Sequence, residues 1–106
     1  MTGTPSQIEW AEQIKRRVDA EFDRVAHALE GVARRQSDQD RMDTVAIIAI
    51  VQEKRAEVMA KDEAGYFIRD WQELCDQVRQ ILGQDPAYRA IKMRRDAPTR
   101  ADVFAK

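Results

Sequence analysis

Residues Thr44–Val51 read TVAIIAIV, and the seven from Val45 to Val51 are apolar without interruption. Polar and charged sequence flanks this run on both sides. It is too short to cross a bilayer, which takes roughly 20 apolar residues. It can be a short buried strand, or part of a helix buried on more than one side. Its β-branched content permits a strand. No second strand-like run exists to pair with it, however, and an isolated strand leaves its backbone groups unsatisfied. A helix is the reading that follows.

Projected onto a helix, the apolar residues around this run do not stay on one side. Met42, Val45, Ile48, Ala49, Ala56, Met59 and Ala60 share one broad face, with Gln52 among them. Ile47, Ile50, Val51 and Val58 lie on roughly the opposite face, with Lys54 among them. Two amphipathic neighbours can cover one broad face but struggle to cover both. Leaving several such side chains wet forgoes several kcal/mol at about 25 cal/mol per Å2. The second face therefore calls for the C-terminal segment or another subunit. The expectation is a homodimer with Ile47, Ile50, Val51 and Val58 at its interface.

The neighbours are legible as helices. Thr4-Pro5-Ser6-Gln7 carries the spacing of a capping box with proline at the first helical position. Ile8, Ala11, Ile14, Val18, Phe22, Val25, Leu29 and Val32 then recur at steps of three and four, in a stripe about 120° wide. The spacing predicts a helix over about 5–35. Ser37-Asp38-Gln39-Asp40 breaks it, because such side chains compete for backbone amides. A second helix is expected over about 38–60. Asp62 is a candidate cap for a third, about 63–82, whose apolar side chains Phe67, Trp71, Leu74, Val78 and Ile81 face away from a charged arc. Gly83 is its candidate C-terminal cap. Asp85-Pro86 restarts the chain into a short helix, about 86–95. The expected fold is all-α: a three-helix core with a short C-terminal helix, divided into a helical bundle domain over 1–84 and a short basic helix and tail over 85–106.

Few kinds of chemistry fit these residues. One cysteine in 106 residues excludes an internal disulfide and a cysteine-based zinc cage. The only histidine, His27, projects opposite the apolar stripe of its helix and is expected on the surface. A carboxylate-bridged di-iron bundle needs two Glu-x-x-His pairs. Cys75 falls at the edge of an apolar arc, far from that histidine, and reads as a buried structural thiol. Glu73 and Asp76 form the Glu-x-x-Asp of all-helical magnesium-dependent nucleotide hydrolases. They point away from the apolar arc, and the second helix offers only Glu53 and Glu57 with no Glu-x-x-Glu partner. Phosphate-binding glycine loops and nucleophile motifs are absent. No cofactor is expected. Trp71 reads as core, and Trp10 as packing at the bundle's edge.

A formal net charge of −1 gives no global pull toward nucleic acid or membrane. The one asymmetry is the C-terminal segment, where residues 85–106 hold six Lys/Arg against three Asp/Glu. Arg89, Lys92, Arg94 and Arg95 are the candidate phosphate contacts. Tyr88 is the only ring near them, so a stacking platform is missing. The same charges suit docking on the acidic remainder of the chain. The N-terminus lacks the basic and apolar regions of a signal peptide, and a cytoplasmic setting is expected.

Thr4-Pro5-Ser6-Gln7-Ile8-Glu9-Trp10-Ala11-Glu12-Gln13-Ile14-Lys15 resembles the Ser/Thr-x-x-Gln-Ile-x-Trp-Ala-x-x-Ile-Lys/Arg opening of small bacterial proteins met in phage and plasmid contexts. Ala64-Gly65-Tyr66-Phe67-Ile68-Arg69-Asp70 is similar to a later Ala-x-Phe-Trp-Ile-Asp-Asn segment of the same proteins, with Tyr-Phe for Phe-Trp and Arg-Asp for Asp-Asn. The resemblance covers about a fifth of the chain. It implies a genomic setting and brings no activity or site residues.

The expected function is that of a non-catalytic helical oligomerisation or interaction protein, with a second copy or another protein as partner. The alternatives are an accessory nucleic-acid binder using the basic segment and, further off, a magnesium-dependent nucleotide hydrolase.

Overall fold

The computed structural model describes residues 1–94 and is all-helical. Helix α1 spans Pro5–Ala33, α2 Asp38–Met59, α3 Ala64–Asp70 and α4 Leu74–Gln84. A fifth helical stretch, α5, covers residues 86–94. Arg95 and the rest of the expected tail lie outside the described residues.

Helix α1 begins as its sequence requires. Thr4 Oγ1 accepts from the Gln7 amide at 3.2 Å, and Gln7 Oε1 accepts from the Thr4 amide at 3.0 Å. Two amides with no helical partner are thus satisfied at once. Ahead of this cap, Thr2 bridges to Glu63, and the Met1 ammonium pairs with Asp62 at 3.0 Å. Asp62 therefore anchors the N-terminus instead of capping α3, whose N-cap is Glu63.

Helices α1 and α2 form an antiparallel hairpin. At its tip, the Arg41 guanidinium donates to the carbonyls of Ala33 and Gln36 at 3.1 and 3.0 Å, closing the open end of α1 with a favourable charge. Buried Thr44 donates to Gln36 Oε1 at 2.6 Å. Farther along, Arg55 bridges to Asp19 at 2.7 Å and Asp23 at 3.3 Å on α1.

The expected third helix is two helices. The chain leaves helical geometry at Trp71 (φ −116°, ψ 41°) and resumes at Leu74. No proline or glycine marks the bend. Trp71 is only 3% exposed, with its ring edge-on to Phe22 at 5.8 Å. Bent this way, Ala64 and Phe67 pack on α1 while Val78 and Leu82 reach the same core. Helix α4 crosses the hairpin from Glu21, which Cys75 contacts, to Lys54, which pairs with Asp85 at 3.0 Å. Gly83 lies inside α4, and the residue ending it is Asp85.

Asp85 also starts α5, accepting from the Tyr88 amide at 3.0 Å with Pro86 next in sequence. From there α5 runs antiparallel along α2. Ile91 joins the core, and Arg94 pairs with buried Asp43 at 2.6 Å.

Candidate interaction surface

The residues expected to carry chemistry do not converge. Glu73 and Asp76 are exposed; Asp76 lies 3.9 Å from Arg79. Among the described residues, no group of three or more His, Cys, Asp or Glu is placed to hold a metal ion. His27 is exposed, with Nδ1 2.9 Å from the Asp23 carbonyl. That carbonyl, followed by the carboxylates of Asp23 and Glu30, raises its pKa above the ordinary value. Cys75 is exposed, contrary to the buried position expected, and its thiol donates to Glu21 at 3.3 Å. The shift follows from the bend at Trp71, which breaks the projection on which its burial depended. Trp10 is 55% exposed instead of packed. Trp71 is buried as expected, with an indole N–H that finds no acceptor among the described residues.

The three candidate phosphate contacts among the described residues are engaged within the chain. Arg94 holds Asp43, Arg89 donates to the Gly83 carbonyl, and Lys92 sits 5.8 Å above the Tyr88 ring.

The two faces of α2 exchange places relative to expectation. Ile47, Ile50, Val51 and Val58 are 6, 8, 0 and 4% exposed and belong to this chain's own core. They are not available to a partner. The reason lies in what flanks them. Asp43, Thr44, Lys54 and Arg55 make that side look polar in sequence, yet each finds a partner inside the molecule: Arg94, Gln36, Asp85, and Asp19 with Asp23. The broad face carries the exposure instead. Met42 is 66% and Val45 53% exposed, Ala49, Gln52 and Ala56 are exposed, and Met59 is half-buried.

These six positions alternate in steps of three and four, the spacing of a seam where one helix packs along another. The seam spans about 26 Å at 1.5 Å per residue. Two open cavities border it, each lined by residues of both α1 and α2. One, of about 400 Å3, is lined by Glu12, Lys15, Arg16 and Asp19 of α1 and by Met59. The other, of about 340 Å3, is lined by Ala33, Arg34, Arg41 and Val45. Across its two shorter axes the molecule measures only 24 × 18 Å, about two helix diameters each way. No further layer of the described chain covers the seam.

No family model matches the chain, and no curated protein or solved structure matches it either. No helix among the described residues is long and apolar enough to cross a membrane.

Proposed function

We propose that the protein is a non-catalytic oligomerisation module, a homodimer in which the seam of α2 is the contact surface. The exposure of Met42 and Val45 on a continuous helical seam supports this reading most directly. Scattered apolar residues on a surface need no explanation, but a contiguous apolar stripe bordered by polar groups is characteristic of an interface. The occupied interior face of α2 strengthens the case, because the exposed stripe is not a core face awaiting α5. A phage or mobile-element setting belongs to the same proposal and rests on the resemblance of residues 4–15; neighbouring genes test it.

Light scattering on the purified chain is the direct test. The expected mass at micromolar concentration is about twice the 12.2 kDa of one chain. A monomer at that concentration overturns the reading. The double variant Met42→Lys with Val45→Lys should be a folded monomer, with helical content retained by circular dichroism.

A further inference from the structure

One arc of α2 is covered by α5 alone. Asp43, Ile47, Ile50 and Lys54 follow one another at steps of four, three and four, and fall within about 60° of the helix circumference. Arg55, which pairs with α1, lies about 100° farther round. The two ends of the arc are tied to the two ends of α5: Lys54 to Asp85 at 3.0 Å and Asp43 to Arg94 at 2.6 Å. These pairs set an antiparallel register that places Ile91 at about the level of Ile47 and Tyr88 at about the level of Ile50. We infer that α5 is a hinged strap, which swings away from α2 as one unit about Asp85 and bares this arc while α1–α4 stay folded. The strap works within one chain and does not depend on self-association.

Little apolar surface holds α5 in place. Of residues 86–94, Ile91 is the one buried side chain, at 9% exposure; Tyr88 is half-buried and the rest are exposed. The restraint at the far end is polar. There the half-exposed Arg94 guanidinium donates to the buried Asp43 carboxylate. A carboxylate kept from water without its cation is costly, so the pair acts as a latch while α5 is docked. Once α5 leaves, water reaches both charges, and the open form is not burdened by an unsolvated ion.

The near end is built as a pivot. Asp85 is the single non-helical residue between α4 and α5 (φ −75°, ψ 126°), and Pro86 follows with no amide hydrogen to continue the α4 ladder. Asp85 belongs to the body of the molecule. Its amide donates to the Leu82 carbonyl at 3.1 Å, and its carboxylate is held by Lys54. Arg89 donates across the pivot to the Gly83 carbonyl, a tie to α4 that leaves α2 untouched. The contacts that close the rest of the core lie elsewhere: Arg55 with Asp19 and Asp23, and Phe22 with Trp71. None of these involves a residue beyond Asp85. Opening therefore alters one arc of α2. It presents Ile47 and Ile50 between an acid and a base, on the side of α2 roughly opposite the exposed seam.

Residue-resolved amide exchange on the full chain tests the strap, with Arg94→Met as the unlatched variant. A short helix draws its stability from the packing of its apolar face, so amides released from α2 also lose protection. The expected result is a common acceleration of about 10- to 100-fold at Ala90, Ile91, Lys92 and Met93, the change that a lost hydrogen bond to a charged group implies. Phe22 and Ala26 of α1 and Val78 of α4 should keep their parent rates. An acceleration that fades from Met93 to Ala90 means piecemeal fraying and overturns the strap. An equal change in α1 or α4 means one cooperative fold and overturns it too, as does no change at any amide. Baring of the arc is read separately by thiol labelling in Cys75→Ser chains, which lack the native thiol, carrying Ile50→Cys or, as a control in the core of α1, Val18→Cys. Arg94→Met should speed labelling at 50 by the same factor as exchange at Ile91 and leave labelling at 18 unchanged. Labelling at 50 that stays at the latched rate shows that α5 is not what covers the arc, and overturns the inference.

Discussion

The inner and outer faces of α2 have similar numbers of apolar residues and opposite fates. The inner face is built from Ile47, Ile50, Val51 and Val58, all at most 8% exposed. The outer face is built from Met42, Val45, Ala49, Ala56 and Met59, mostly exposed. Branched side chains of medium size fill a fixed interior with little rotamer freedom to lose, whereas alanine buries little area wherever it is placed. The number of apolar positions on a face therefore says less about its burial than the volume those positions carry. A face of alanines bounded by methionines is cheap to leave in water and, being smooth, allows close approach by another helix.

The largest way to break this comparison is truncation on each face. Ile47→Ala should cost about 2–5 kcal/mol of unfolding free energy, by lost transfer energy and a residual cavity. Val45→Ala, measured below the concentration at which chains associate, should stay within about 0.5 kcal/mol of the parent. Urea denaturation of both variants decides it. Equal losses would mean that the two faces are equally buried in the single chain and would remove the basis for a free seam.

Much of this was legible in the sequence, and the failures share a cause. The caps at Thr4 and Asp85, the hairpin break at Ser37 and the stripe of α1 depend on residues within a few positions of each other, so spacing alone finds them. The two-faced character of α2 is likewise a matter of periodicity. Which face turns inward is not. It depends on Lys54 meeting Asp85, Arg55 meeting Asp19 and Asp43 meeting Arg94, contacts made across dozens of residues. Each makes a charge tolerable beside the core, and without them the inner face reads as the more polar one. The bend at Trp71 is of the same kind. The three-and-four spacing of Phe67, Trp71, Leu74 and Val78 continues straight through it, and Trp71 at the bend packs edge-on against Phe22, a contact 49 positions away in sequence that spacing does not reveal. The outer seam itself was visible as a face containing Gln52; its alternation of three and four was the available signal that it forms one continuous stripe along the helix.

Those charges sharpen the comparison at an intermediate scale. Asp43 is 5% exposed, and its carboxylate accepts from Arg94 at 2.6 Å and from Gln39 at 3.5 Å. Arg94→Ala should leave this buried acceptor underserved and cost about 1–3 kcal/mol. Adding Asp43→Asn should recover part of the loss, since the uncompensated charge is gone. Amide exchange in residues 86–91 should accelerate in the single variant, because Arg94 secures the far end of α5. If Arg94→Ala leaves both the urea midpoint and that exchange unchanged, the inner face does not depend on α5 for its polar flank.

The smallest expected effect concerns Arg55, which ties α2 to α1 beside the seam. Its hydrogen bond to Asp19 holds that carboxyl below its ordinary pKa of 3.8. A group whose folded pKa is depressed contributes stability above its unfolded pKa and loses it as pH falls through the folded value. The contribution is therefore fully present near neutrality and disappears on the acid side of 3.8. The pair is half-exposed, with the Asp19 side chain open to solvent at 42%, so solvent screening limits it to about 0.2–1 kcal/mol. The wild-type protein and Arg55→Ala should differ by that amount at neutral pH. Because other carboxylates titrate in the same range, the informative quantity is the gap between the two proteins, not either curve. It should narrow as pH is lowered toward about 2 and also narrow with added salt. A gap that persists unchanged through acid would mean that the Arg55 stem contributes by covering apolar surface between the helices, and that the seam's border is held by packing in place of charge.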